Sequence, residues 1–135
     1  MDVNEFFKRY AAGERDFSGL DLTGIKLSHA ELADIDLSRS NLSGALLNGA
    51  NLYRANLRKA NLNCADLCGA NLSDADLTDA DLRAALLLRA NLTGTKLKHT
   101  NLQWTALTQA IPANINLDYA ILSRTILPQG IASDG

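Results

Sequence analysis

Two cysteines and a run of aspartates are the side chains with the most chemical potential in this chain. Cys64 and Cys68 are separated by three residues, and the two histidines, His29 and His99, lie far from them in sequence. A zinc site usually needs four nitrogen or sulfur ligands at a recognisable spacing. The spacing therefore favours two reduced thiols, with a disulfide between them as the weaker alternative, and it predicts no metal site.

The aspartates form a local acidic run. Paired carboxylates can act as general acid and base, but this role needs a pocket that perturbs their pKa values. The sequence contains no glycine-rich nucleotide loop, nucleophile elbow or metalloprotease helix. We interpret the run as solvent-exposed carboxylates on the surface of the protein. We therefore predict that the protein is not an enzyme and has no catalytic residues, cofactor or small-molecule substrate. The run consists of Asp66, Asp74, Asp76, Asp79 and Asp81.

The element that must position these side chains is a leucine repeat. Leucine occupies every fifth position from Leu22 to Leu107, eighteen times in succession, and the series resumes after Pro112 at Leu117. Five residues turn an α-helix about 140° beyond one full turn, so the leucines would spiral around it. In a flat strand, an odd spacing would place successive leucines on opposite faces. All of them can share one interior only if the chain bends once per unit, which predicts a solenoid.

The other positions of the unit agree with this interpretation. Two residues before the leucine stands a small residue, which is alanine at all ten positions from Ala45 to Ala90. Strand alternation directs this residue inward together with the leucine. The residue between them points outward and is often Asn or Asp, and the last two residues suit corners.

Three runs carry a family resemblance: residues 50–54 read ANLYR, residues 70–74 ANLSD and residues 75–79 ADLTD. They resemble the A(D/N)LXX unit of the pentapeptide-repeat family over residues 15–129, and the leader up to Phe17 is similar to that of small cyanobacterial members with an N-terminal capping helix. The resemblance implies an all-β solenoid, a right-handed quadrilateral β-helix with four pentapeptides per coil and between five and six coils. We predict one domain, 1–135, with a capping helix (1–14), the β-helix (15–129) and a tail (130–135).

Residues 2–12 are predicted to form a short amphipathic helix. Asp2 suits the N-cap, and Gly13 suits the position after the last turn. A helix this short is marginal alone in water, so we expect it to fold against the first coil and cover the edge exposed there. The residues at helical spacing that form this cap are Val3, Phe6, Phe7 and Tyr10.

No comparable cap is expected at the C-terminal end. Pro112 takes a leucine position and cannot donate to a ladder, although the five-residue register is expected to survive beyond it. Apolar residues then occupy positions that should face outward. Either this end packs against a second copy as a homodimer, or the last coil is irregular and folds these residues inward. They are Ile111, Ile121 and Ile126.

One predicted face carries leucine where other units have Asn or Asp. If four units make a coil, residues twenty apart stack about 4.8 Å from one another. Leu46 and Leu86 then share an outward column, with Leu88 beside it. Clustered exposed apolar groups mark contact sites, so these three residues form a candidate interaction face. Asp66 interrupts the column, and scattered exposure without a role is the alternative.

Another predicted face is the most charged, and its signs alternate. Asp76 is expected beside Lys96, and Asp79 beside Lys59, one coil apart. Such cross-rung pairs contribute a few tenths of a kcal/mol to about 1 kcal/mol each. The face therefore sums to no net charge.

Composition bounds the function further. The net charge of −2 and the 5% aromatic content disfavour nucleic-acid binding. The longest apolar run has five residues, which predicts no membrane span. The N-terminus lacks the pattern of a signal peptide, and the two cysteines fit a reducing compartment, so a cytoplasmic location is predicted.

These features predict a non-catalytic structural or protein-interaction module with an unidentified protein partner. The resemblance adds an alternative, because some family members are dimeric rods that imitate DNA, bind DNA gyrase or topoisomerase IV and protect it from quinolones. Such an acidic rod would occupy the positively charged DNA saddle of the enzyme. This chain departs from that pattern in its balanced charge and in having no projecting loop.

Overall fold

The computed structural model describes residues 1–133, beginning with a single helix. Helix α1 spans Val3–Ala11, and the carboxylate of Asp2 caps it by accepting a hydrogen bond from the Glu5 N–H at 2.8 Å. Gly13 follows the last turn with φ of 98° and donates to the Tyr10 carbonyl at 3.0 Å. Both predicted end residues are confirmed, and the helix is one residue shorter at each end than predicted.

Beyond the helix, parallel β-bridges connect residues that are twenty apart in sequence. Each bridge is isolated, and no longer strand is formed within residues 1–133. Four ladders start at Asp16, Asp21, Lys26 and Glu31. One coil therefore contains four five-residue units, and each unit contributes one rung to one ladder.

Each unit ends in a tight turn. In the unit centred on Leu52, the Leu52 carbonyl accepts a hydrogen bond from the Ala55 N–H at 3.0 Å, and Arg54 has φ of 58°. Positive φ at the third residue is the geometry of a type II turn. The chain thus bends once per unit, as the leucine period predicts.

The core is a column of leucines and alanines that helix α1 closes at the N-terminal end. Phe6 and Phe17 are fully buried, with ring centroids 4.5 Å apart, and Val3 and Tyr10 pack against the same cluster. Phe7 is 41% exposed. The prediction that Phe7 packs on the first coil is therefore wrong, because neighbouring residues of a helix point about 100° apart and Phe6 already faces the coil.

The ladder that starts at Asp16 ends at Lys96. In the regular coils the second corner residue donates to the carbonyl nineteen positions on, as Asp79 does to Lys98. His99 instead donates to the carbonyl of Tyr119, twenty positions on, at 2.9 Å. The pairing of segment 112–119 is therefore shifted by one residue at Tyr119, and the twenty-residue register returns at Ile121. The predicted register beyond Pro112 is kept at Ile121 and Ile126, but it is interrupted within segment 112–119.

The tail pairs back on the last coil. Ile126 forms an antiparallel bridge with Ala132, the Leu127 N–H donates to the Ile131 carbonyl at 2.9 Å, and the Ser133 N–H donates to the Thr125 carbonyl at 2.7 Å. This ladder is therefore capped, contrary to the expectation of an uncapped C-terminal end. The predicted tail, 130–135, lies only partly within the described residues.

Candidate interaction surfaces

The candidate face of leucines is a continuous column of bridged residues. Leu46 and Leu86 are 37% and 44% exposed, and Leu88 is half-buried. Leu46 and Leu86 both bridge to Asp66, so they lie two rungs, about 9.6 Å, apart. From Leu86 toward the C-terminal end, the column continues with Ala106 and Ile126 and is apolar without interruption. We call the part of the column from Leu86 to the C-terminal end the apolar face; it consists of the successively bridged Leu86, Ala106 and Ile126, with Leu88 beside them.

Asp and Asn at the outward position make a hydrogen bond that the sequence interpretation missed. Among the described residues, fourteen of them accept a bond from the N–H two residues later. Asn61, for example, accepts from the Asn63 N–H at 3.0 Å. This is the Asx-turn spacing, which the sequence alone could have revealed. Such a bond contributes about 0.5–1.5 kcal/mol net.

Leucine cannot supply that acceptor. At Leu86 the N–H of Leu88 has no side-chain partner within residues 1–133, and at Leu46 the same holds for Asn48. The chain therefore gives up local stabilisation at these two positions while presenting apolar surface to solvent. This combination distinguishes the column from scattered surface leucines.

Cys68 borders the apolar face and is not activated. Burial raises the pKa of its thiol, and a hydrogen bond with Asp66 raises it further. The thiol is therefore protonated at neutral pH and a poor nucleophile. Cys68 and Cys64 are both free. Within residues 1–133, no group of three or more His, Cys, Asp or Glu side chains could hold a metal ion.

On the charged face, the acids pair with partners other than those predicted. The Asp76 carboxylate accepts from Arg58 Nη1 at 3.1 Å, although Lys96 bridges to Asp76 as expected. An Asp79 carboxylate oxygen lies 3.4 Å from His99 Nδ1, and within residues 1–133 the expected ion pair with Lys59 is absent. Lys59, Asp79 and His99 occupy the same corner position in successive coils, so stacking alone does not select between the two partners of Asp79.

The acidic run also fails to form a carboxylate pair. Arg83 donates to Asp81 at 2.8 Å, and its hydrogen bonds hold the pKa of Asp81 below the usual value although burial opposes them. Burial also acts to raise the pKa of Asp76, but hydrogen bonds from Thr78 and Arg58 outweigh it and lower the pKa. Asp76 and Asp81 are thus each held ionised by their own donors, which is the opposite of a general acid with a raised pKa.

Neither of two concave sites within residues 1–133 resembles a reaction centre. A shallow depression of about 510 Å³ lies along the outer side of helix α1, beside Glu5 and Lys8. A cleft of about 210 Å³ lies near Leu97 and Tyr119, where the first ladder stops. Within residues 1–133, no helix is long and apolar enough to cross a membrane.

Comparison with known proteins places this architecture in a family. The family description "Pentapeptide repeats (8 copies)" matches residues 16–52, 35–74 and 75–111. A comparison with curated proteins found no match. The crystal structure of alr5209, a pentapeptide repeat protein from Nostoc Pcc 7120, is 36% identical, with 90% of this chain and 96% of that chain covered and a TM-score of 0.50.

Two further solved structures are similar. Rfr23, a pentapeptide repeat protein from the cyanobacterium Cyanothece 51142, is 27% identical over 91% of this chain and 92% of that chain, with a TM-score of 0.49. QnrB1, a plasmid-mediated fluoroquinolone resistance protein, is 21% identical over 83% of this chain and 67% of that chain, with a TM-score of 0.57. At this identity the likeness to QnrB1 concerns the fold alone. With its five-residue unit, its twenty-residue coils and these matches, the chain belongs to the pentapeptide-repeat family.

Proposed function

We propose that this protein is a non-catalytic interaction module that binds a protein partner through the apolar face. The observation that carries the proposal is Leu86, which is 44% exposed in a position where Asp or Asn would add a hydrogen bond. A side chain that costs local stability and exposes apolar surface is best explained by a contact that covers it.

The surroundings of the apolar face suit such a contact. Arg89 donates to Gln109 at 3.1 Å along one side, and Asp66 lies at one end, so polar groups border the apolar residues. An apolar centre with a polar rim is typical of protein–protein interfaces. The right-handed, four-sided β-helix implied by the family resemblance would present these residues on one flat, rigid side. The two free thiols support a cytoplasmic location.

The test is the double variant Leu86→Ser/Leu88→Ser, used as bait in cells that express the protein. We expect loss of the partners that the unaltered protein recovers. Tyr53→Ser is a matched control, because Tyr53 is 38% exposed on a different side of the coil. The proposal is wrong if the double variant and the control recover the same partners.

Self-association through the C-terminal end is a second candidate, supported by exposed apolar side chains there. Ile111 and Ile121 are 51% and 46% exposed, and each is the last rung of its ladder. Ile126 is half-buried under the returning tail and contributes less surface. The solution mass of the unaltered protein and of Ile111→Ser/Ile121→Ser distinguishes the two candidates. A monomeric mass for the unaltered protein would remove this one.

Modulation of gyrase or topoisomerase IV, the alternative suggested by the resemblance, finds no support in the charge distribution. Net charge is −2, and Asp76 and Asp81 are each paired with an arginine. A DNA-like acidic surface needs unpaired carboxylates in rows. A gyrase supercoiling assay with and without a quinolone discriminates, and we expect neither inhibition nor protection.

A further inference from the structure

Above Lys96, the last rung of the first ladder, backbone groups are left unpaired. Comparison with the coil below, which contains Asp76, shows which hydrogen bonds are missing. In that lower coil, three backbone groups pair upward: the Asp74 N–H donates to the Thr93 carbonyl, the Ala75 carbonyl accepts from the Lys96 N–H, and the Leu77 N–H donates to the Lys96 carbonyl, all at 2.9 Å. These three bonds hold one rung to the next. They define what the coil above should repeat.

The coil above does not repeat them. The Gly94 N–H, the Thr95 carbonyl and the Leu97 N–H have no hydrogen-bond partner within residues 1–133. Bonds between the two coils are present on both sides of this opening: the Leu92 N–H donates to the Ile111 carbonyl at 2.7 Å, and the His99 N–H donates to the Tyr119 carbonyl at 2.9 Å. A row of donor, acceptor and donor is therefore left at the spacing of a β-rung.

The opening is a cleft that protein chain could enter. It measures about 210 Å³ and is lined by Thr95, Leu97, Lys98, Asn116 and Tyr119. Pockets for small ligands usually measure about 300–1,000 Å³, so this one is too small for a cofactor. A short extended segment fits better, because its backbone can pair with the three unpaired groups. Tyr119, 71% exposed, provides one wall.

Charge indicates which segment would fit. Lys96 and Lys98 point outward beside the opening, and neither has an ion-pair partner within residues 1–133. The acid beneath Lys96, Asp76, is already paired with Arg58. A strand added above Lys96 would stack its own outward side chain about 4.8 Å away, where a carboxylate is favoured and a lysine is disfavoured.

We propose that this opening accepts an extended, acidic peptide segment of a partner protein by β-strand addition. One residue of the segment takes the place of the missing rung: its carbonyl accepts from the Leu97 N–H, and its N–H donates to the Thr95 carbonyl. The carbonyl three residues earlier in the segment accepts from the Gly94 N–H, as the Thr93 carbonyl does from the Asp74 N–H. A carboxylate on the segment pairs with Lys96 or Lys98. This site is independent of the apolar face, so either can fail without the other.

Amide exchange and peptide titration on the full chain, followed by NMR, test the proposal. In the free protein the amides of Gly94 and Leu97 should exchange at least about tenfold faster than those of Asp74 and Leu77, because only the latter are hydrogen-bonded. The probe is an acetylated, amidated heptapeptide that alternates aspartate and valine. On its addition, the Gly94 and Leu97 amides should shift and become protected, whereas a lysine–valine peptide should have no effect.

Charge reversal completes the test. Lys96→Glu/Lys98→Glu should exchange the preference, so that the lysine–valine peptide binds and the aspartate–valine peptide does not. Lys59→Glu, which lies at a corner two coils below His99, is the control and should bind like the unaltered protein. Equal protection of all four amides in the free protein overturns the proposal. So does the absence of any shift at Gly94 and Leu97 with the acidic probe, or an unchanged preference after reversal.

Discussion

Asn61→Ala and Ala106→Asn should change the free energy of unfolding in opposite directions. The first removes, and the second adds, a hydrogen bond from the N–H two residues later to the side chain. Asn61 accepts from the Asn63 N–H at 3.0 Å, and alanine removes that acceptor while leaving the rung between Asn41 and Asp81 in place. The expected loss is about 0.5–1.5 kcal/mol of unfolding free energy.

The second substitution supplies what Ala106 lacks. Asn at position 106 would offer an acceptor to the Thr108 N–H, which has no side-chain partner within residues 1–133. Because alanine contributes little side-chain burial, the expected gain is about as large as the loss at Asn61, roughly 0.5–1.5 kcal/mol. The same substitution places an amide between Leu86 and Ile126, so it should also weaken partner recovery through the apolar face.

Urea denaturation followed by circular dichroism measures both changes, with unchanged m-values showing that the surface exposed on unfolding is the same. Asn61→Asp keeps the acceptor and serves as the control, which should stay within about 0.5 kcal/mol of the unaltered protein. If Asn61→Ala costs nothing, or if Ala106→Asn destabilises, the outward Asp and Asn residues do not act through this bond. The argument that Leu86 lowers the stability by replacing an Asp or Asn acceptor would then be wrong.

Two further predictions concern the N-terminal cap and acid stability. Phe6→Ala should cost about 3–5 kcal/mol, because Phe6 is fully buried against Phe17, whereas Phe7→Ala, 41% exposed, should cost far less; urea denaturation compares them, and equal costs would contradict the observed helix orientation. The pKa of Asp81 is lowered by Arg83, so its stabilisation is present above the unfolded pKa of about 3.9 and is lost as pH falls through the lower folded value. Asp81→Asn, which lacks this titration, should flatten the loss of stability below about pH 4, and an unchanged acid slope would show that Asp81 contributes nothing.

The helix, the inward leucines and the single bend per unit follow from the sequence because each depends on local pattern. The end residues Asp2 and Gly13 are recognisable for the same reason. The slip at residues 112–119 is not, because Leu117 keeps its five-residue spacing from Leu122 whether or not the backbone forms a rung. The period in the sequence reports only the spacing of residues, whereas the ladder depends on backbone hydrogen bonds. Pro112 has no N–H to donate, so the hydrogen bonding is interrupted although the spacing continues.

Ion pairing was equally hard to predict, because it depends on side-chain reach. Stacking placed Asp76 beside Lys96 correctly, yet Arg58 forms the bond. Lys96 is left without an ion-pair partner within residues 1–133 as a result. The same limit applies to the opening at Leu97, because the sequence does not reveal which backbone N–H and carbonyl groups lack a hydrogen-bond partner.

Both proposed contact sites, the apolar face and the opening at Leu97, lie in the C-terminal half of the solenoid. The way stability is distributed along a solenoid explains why irregular units are tolerated there. Each coil contacts only its neighbours, so the cost of an irregular unit stays local. Helix α1 and Phe17 close the N-terminal end with a dense aromatic cluster, where an open rung would disturb the cap. At the other end, Leu86 and the opening at Leu97 can lose hydrogen bonds without weakening the coils below. A solenoid of identical units would bind nothing in particular, so recognition must come from units that deviate, and these deviate where the fold tolerates it.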